Sequence, residues 1–218
     1  MTGSETTRRV FTTRSCTGCR LRFPLEAGSE ASVRLGDKCP VCGAPTETVD
    51  APYVTHTATA RGPAPRGRLG ALLDNVRSIR NVGSIVRTAD GVGLELLVCG
   101  GITPAPDHPS MAKTSLGAER TVAWRSRPDA LAAAIECRDE GWRLWAIEAG
   151  PRAQSLFEAR ADVDGDPIML VLGHEVSGVD PRIVELCERV LFLPMLGHKG
   201  SLNVSVALGV AAYALRFA

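Results

Sequence analysis

No stretch of this 218-residue chain approaches the roughly 18 consecutive apolar residues that a bilayer-spanning helix needs. Its opening, Met1 to Cys16, has no apolar core of the kind a secretory signal carries. The expectation is therefore a cytoplasmic protein with no membrane partner. Charge of one sign is missing too: 25 Lys and Arg against 24 Asp and Glu leave a formal net charge of +1. That balance alone argues neither for nor against a polyanionic partner. What is present is a globular composition, 44% hydrophobic and 22% charged, long enough for one domain and a small appendage.

The charge is unevenly spread. Residues 1–70 hold ten Lys/Arg and six Asp/Glu, whereas residues 71–218 hold fifteen and eighteen. Over the first 26 residues Arg8, Arg9, Arg14, Arg20 and Arg22 face only Glu5 and Glu26, and Arg61, Arg66 and Arg68 follow later. A basic appendage on a near-neutral body suits a module that meets a polyanion. The plainer alternative is a solvated arm.

Three regions separate. Residues 1–46 carry the basic arm and four clustered cysteines. Residues 47–68, with three prolines and little periodicity, read as a linker. Residues 69–218 alternate apolar runs with helix-like stretches. Leu69–Val76, Leu94–Gly100, Thr121–Trp124, Arg143–Gly150, Pro167–Gly173 and Val190–Pro194 have strand character. Segments 81–93, 128–141, 181–189 and 201–218 read as helices. Such alternation implies an α/β fold, a mostly parallel sheet covered by helices on both faces.

Cys16-Thr-Gly-Cys19 and Cys39-Pro-Val-Cys42 form two C-x₂-C pairs with nineteen residues between them. Each pair is short enough for both thiolates to reach one ion, and two pairs make the closed tetrahedral Cys₄ shell of structural Zn²⁺. No fifth ligand lies nearby, so a structural zinc ribbon is expected rather than a catalytic metal. A tetrathiolate zinc centre carries a net −2, so any polyanion contact has to come from particular arginines around the ribbon. The remaining Cys99, Cys137 and Cys187 sit in apolar contexts and are read as buried packing.

Three stretches of the larger region carry chemistry. The first runs Asn81-Val-Gly83-Ser-Ile-Val-Arg87-Thr-Ala-Asp90, at a strand-to-helix junction where a phosphate or ribose could be met. The second is Leu172-Gly173-His174-Glu175-Val-Ser177-Gly178, a loop leaving the carboxyl end of a buried strand, where ligands of open α/β sheets bind. The third is Leu193-Pro-Met195-Leu-Gly197-His198-Lys-Gly200-Ser201-Leu202-Asn203-Val-Ser205, with Ser201 read as the cap of the last helix. His56, His174 and His198 are read as linker or loop residues.

Together these motifs closely resemble, in order and spacing over residues 70–217, those of the SpoU (TrmH-like) RNA 2′-O-ribose methyltransferases of the SPOUT class. Lys113-Thr-Ser115-Leu-Gly117-Ala118 resembles a further family element. The resemblance implies a deep trefoil knot near the C-terminus and a homodimer with sites at the subunit interface. It implies S-adenosylmethionine bound by Leu172, Gly173, Leu193, Met195, Ser201 and Leu202. It assigns Arg87 to the reaction at the ribose hydroxyl, with Asn81, Glu175, Ser201 and Asn203 as supporting polar groups. The implied substrate is tRNA or rRNA, with no DNA partner expected. An inactive RNA-binding module that keeps the fold is the competing reading, and the ribbon could serve RNA or a protein partner.

Overall fold

The computed structural model describes residues 10–28, 36–53, 66–159, 163 and 165–217. Arg8, Arg9, His56 and Arg61, together with residues 54–65 of the expected linker, lie outside the described residues. The chain divides into two compact units, Met1–Arg61 and Gly62–Ala218.

The first unit is a three-stranded antiparallel sheet in the order β2-β1-β3, with β1 Phe11–Cys16, β2 Arg22–Glu26 and β3 Thr46–Tyr53. β1 pairs on both sides, Ser15 opposite Arg22 and Cys16 opposite Thr46. The segment expected to be linker from residue 47 therefore begins as a strand. Thr46, Thr48 and Val49 are β-formers, and the ladder to β1 outweighs the single proline at the strand's end. Arg14 ties the sheet together, donating to Thr46 Oγ1 (3.1 Å), Thr48 Oγ1 (2.7 Å) and the carbonyls of Gly36 and Thr46.

The second unit is a seven-stranded sheet ordered β6-β5-β4-β9-β7-β10-β8, with every neighbouring pair parallel. Its strands are β4 Leu69–Asp74, β5 Leu96–Gly100, β6 Trp124–Arg127, β7 Arg143–Ile147, β8 Gln154–Ser155, β9 Ile168–Leu172 and β10 Arg189–Phe192. The helices are α1 Ile79–Val92, α2 Ala112–Ser115, α3 Ala130–Asp139, α4 Pro181–Leu186 and α5 Val204–Phe217. β4 and β9 are buried throughout, which is why the sequence of β9 reads as a continuous apolar run. Alternation along β4 then sorts the core: Leu69, Ala71 and Leu73 pack with Ile85, Leu208 and Leu215 of α1 and α5. Leu72 packs with Ala133, Ala134 and Ile183 of α3 and α4. Both faces of the sheet are thus covered by helices. Among the described residues no helix is long and apolar enough to cross a membrane.

Local chemistry fixes the helix ends. Ser78 caps α1 through Asn81 N, and Gly93 closes it at φ 65°. The last helix starts at Val204 rather than at Ser201. Its capping side chain is Asn203, whose Oδ1 accepts from Ser205 N at 2.9 Å, because asparagine in the residue just before the first turn reaches the second N–H. Ser201 lies in the preceding loop. At the other end Arg216, 6% exposed, donates to the carbonyls of Val92 (3.2 Å), Gly93 (3.1 Å), Arg66 (3.2 Å) and Gly67. One guanidinium so satisfies the end of α1 and the entry to β4. Cys99, Cys137 and Cys187 are all buried. Burial pushes the Cys99 and Cys187 thiols up to about 12, which leaves them unreactive.

Candidate active site and metal centre

The loop after β9 closes tightly on itself. His174 and Gly178 exchange both backbone hydrogen bonds (3.0 and 2.9 Å), and His174 Nδ1 accepts from Val176 N and Ser177 N. A side chain at Gly173 would overlap the Gly178 peptide, and Gly178 itself has φ +74°; both positions need glycine. Carboxylates from two neighbouring strands then hold the loop's end. Asp74, 2% exposed at the end of β4, accepts from Asp180 N at 2.7 Å. Glu148, just past β7, accepts from Val179 N at 3.1 Å.

From the loop, Glu175 reaches back to the start of α1. Its carboxylate accepts from Arg77 N (3.2 Å), Ser78 N (3.0 Å) and Asn81 Nδ2 (2.9 Å). Partial burial alone would raise its pKa. The N–H groups of Glu175 itself, Ser78 and Arg77, with the Asn81 amide, instead hold it down at about 2, because they stabilise the charged form. Asn81 continues the chain by accepting from Asn203 Nδ2 at 3.0 Å. One residue from each of the three sequence motifs is thereby joined in a single hydrogen-bonded series.

Beside this series lies a cavity of about 550 Å³. Leu172, Gly173, Leu193, Met195, Ser201 and Leu202 all line it, together with Glu175 and Asn203. The six residues expected at the methyl donor thus share one cavity, since β9, β7 and β10 are adjacent and their carboxyl ends open on the same side. Arg87 is not among them. It is exposed on α1 and borders a separate cleft of about 500 Å³ with Asp90, Ser115, Leu116, Gly117 and Thr121. Its guanidinium has no hydrogen bond or ion pair among the described residues. Ser115 in that cleft is 1% exposed and its hydroxyl donates to Glu119 and to Met111 O. The sequence reading missed Glu148, which also lines the cavity. A glutamate ending an apolar strand carries no motif, and its place follows only from the strand order.

In the first unit the Sγ atoms of Cys16, Cys19, Cys39 and Cys42 lie within 4.8 Å of one another. Cys16 and Cys42 Sγ are 3.4 Å apart, Cys19 and Cys39 Sγ 3.6 Å. A tetrahedral shell with Zn–S near 2.3 Å has sulfurs about 3.8 Å apart, so the donor set fits. Gly18 N and Cys19 N point at Cys16 Sγ, and Val41 N at Cys39 Sγ, donors that favour thiolates. The Cys19 N–H, foremost, holds the Cys16 thiol down at about 6.

Known proteins fit this geometry. The family model of the SpoU rRNA methylases matches residues 68–213. The 23S rRNA (guanosine-2′-O-)-methyltransferase RlmB of Ralstonia nicotianae is 33% identical over 143 residues, 65% of this chain and 55% of that protein. The tRNA (guanosine(18)-2′-O)-methyltransferase of Thermus thermophilus is 31% identical over 145 residues, 66% of this chain and 72% of that one. Among solved structures, the TrmH/SpoU tRNA modifying enzyme of Aquifex aeolicus superposes with a TM-score of 0.60 at 28% identity, covering 69% of this chain and 76% of that one. The chain spans about half the length of the RlmB relative, and the family match at 68–213 lies within this chain's second unit.

Proposed function

Because the chain belongs to the SpoU rRNA methylase family, we propose that it transfers the methyl group of S-adenosylmethionine to a ribose 2′-hydroxyl of RNA. The observation that carries this reading is that Asn81 of the first motif is hydrogen-bonded to Glu175 and Asn203, which line one cavity with the rest of the second and third motifs. The cavity's volume lies in the range of small-molecule sites. Its lining mixes apolar side chains with Ser201, Asn203 and two carboxylates, and among the described residues no Lys or Arg borders it. That donor set accepts a cation such as a sulfonium. Bound there, S-adenosylmethionine supplies an electrophilic methyl group.

The chain's own residues supply position and charge. Glu175, ionised and saturated with N–H donors, fixes the second-motif loop against α1, and Asn203 fixes the start of α5 to the same point. Holding the hydroxyl in line with the methyl group removes the entropic part of the barrier. Among the described residues Arg87 has no partner, so its planar fork is available to an RNA phosphate. A guanidinium gives up its proton too reluctantly to serve as a base. Its role here is orientation and stabilisation of the developing alkoxide.

The separation of Arg87 from the cavity within one copy favours a site completed by a second copy. On α5, Val206, Tyr213 and Phe217 are exposed at helical spacing with Leu202 just ahead, an apolar stripe suited to a homodimer. The trefoil knot belongs to the same reading, as does cytoplasmic action on tRNA or rRNA. The first unit is a structural zinc ribbon whose exposed Arg20, Arg22 and Lys38 face RNA, while Arg14 serves the ribbon's own sheet.

The test is transfer of label from radiolabelled S-adenosylmethionine to separate pools of unmodified tRNA and rRNA, with Arg87→Ala alongside. Label in one pool that is lost in the variant supports the reading. Donor binding without label in any pool supports the inactive RNA-binding module instead.

A further inference from the structure

The cavity has an anionic side chain that the three motifs do not account for. Glu148 follows β7 directly and borders the cavity from the strand next to β9. Its Oε1 accepts from Ala149 N and its Oε2 from Val179 N, each at 3.1 Å. Both are neutral backbone donors. No Lys, Arg or His pairs with it among the described residues. Each oxygen keeps a second acceptor direction. The loop is shaped to admit this carboxylate: a side chain at Gly178 would overlap Glu148 Oε2.

The other carboxylate of the lining, Glu175, is committed elsewhere, with three donors from α1 and its approach on its oxygens. His174 Nδ1 is likewise occupied as an acceptor. Glu148, with one backbone donor on each oxygen, is therefore the carboxylate of the lining with more acceptor capacity left for a ligand. Resting on the methyl-donor reading above, we propose that Glu148 makes the cavity select S-adenosylmethionine over its demethylated product.

The two ligands differ in net charge. S-adenosylmethionine carries a sulfonium, an ammonium and a carboxylate, a net +1 at neutral pH. S-adenosylhomocysteine has lost the sulfonium charge with its methyl group and is net neutral. The two ligands are otherwise the same shape, so contacts to adenine, ribose and the amino-acid end cannot tell them apart. A fixed carboxylate can, because its attraction acts on the one charge that differs and is strengthened by the low dielectric of a partly enclosed cavity. The consequence is directional: after transfer the spent ligand is held less tightly than the donor, which favours exchange of product for fresh donor.

The experiment is calorimetric titration of the full chain with each ligand separately, in wild type, Glu148→Gln, Glu148→Asp and, as a remote acid-to-amide control, Glu185→Gln. Glutamine keeps an acceptor for Val179 N and turns its NH₂ toward Ala149 N, so thermal unfolding should fall modestly, a loss that bears on both ligands alike and leaves their affinity ratio to report the charge. The expected result is an affinity for S-adenosylmethionine about tenfold weaker in Glu148→Gln, with S-adenosylhomocysteine affinity changed less than about twofold. Glu148→Asp, which keeps the charge, and Glu185→Gln should keep the wild-type ratio. Equal losses for both ligands would assign Glu148 to a group they share and overturn the proposal, as would an unchanged ratio. Wild-type protein that binds neither ligand would remove the methyl-donor reading itself.

Discussion

Replacing Glu175 by glutamine tests whether the second-motif loop is held to α1 by charge. In the structure the carboxylate takes N–H groups from Arg77, Ser78 and Asn81 at 3.2, 3.0 and 2.9 Å. Its pKa falls from an ordinary 4.5 to about 2. At about 1.4 kcal/mol per pKa unit the full shift would be an upper bound near 3 kcal/mol. Glu175 is exposed, and solvent screening cuts that to about 1 kcal/mol. The amide NH₂ of the variant would then face an N–H donor, adding about 1 kcal/mol for an unmet group. The expected loss is about 2 kcal/mol, seen as a fall in Tm of roughly 4–8 °C for a unit of this size. The sign with pH is fixed by the direction of the shift. A depressed carboxyl pKa stabilises the fold above the unfolded value and loses that contribution as pH falls through the folded one. The gap between wild type and Glu175→Gln should therefore be full at pH 7 and shrink between about 4.5 and 2. Scanning calorimetry across that range is the assay. Equal Tm values at pH 7, or a gap that stays constant down to pH 3, would refute the assignment.

Three further outcomes follow from the same structure. Cys39→Ser, or a strong chelator, should release one zinc per chain and unfold the first unit, read by elemental analysis and by proteolysis within residues 10–53, while S-adenosylmethionine binding by the second unit persists. Gly178→Ala should cost about 1–3 kcal/mol in urea titration, because φ +74° is strained for alanine and its methyl group meets the Glu148 carboxylate. A neutral result there would mean the loop relaxes freely. Arg216→Met should cost about 3 kcal/mol, since it leaves carbonyls of α1 and of the approach to β4 without their buried donor; a loss below about 1 kcal/mol would show that water replaces the guanidinium.

Much of the second unit was legible because its chemistry is local. The continuous apolar run at 167–173 reads as a strand buried on both faces, and β9 is buried throughout; Leu69–Val76 reads as a strand, and β4 forms there. The alanine-rich stretch ahead of Gly141 read as a helix, and Asp129 caps it by accepting from Leu131 N and Ala132 N. The paired C-x₂-C spacing placed four sulfurs together. What escaped the sequence depends on neighbours far along the chain. β3 looked like linker because its worth lies in pairing with β1, more than thirty residues earlier. Ser201 and Asn203 are both good caps by type, and only the helix start at Val204 chooses between them. Glu148 and Asp74 gain their roles from the order β4-β9-β7, which no spacing in the sequence encodes. The six residues that the resemblance assigns to the methyl donor, by contrast, lie on two local motifs and line one cavity.

The most direct test of the central claim is the chemical position of the transferred methyl group. RNA methylated by the purified protein would be digested to nucleosides and analysed by mass spectrometry, with fragmentation separating sugar from base. The expected result is the added methyl mass on the ribose fragment, and an alkali-resistant bond 3′ to the modified nucleotide. A methyl group on the base fragment, with the bond still alkali-labile, would contradict it.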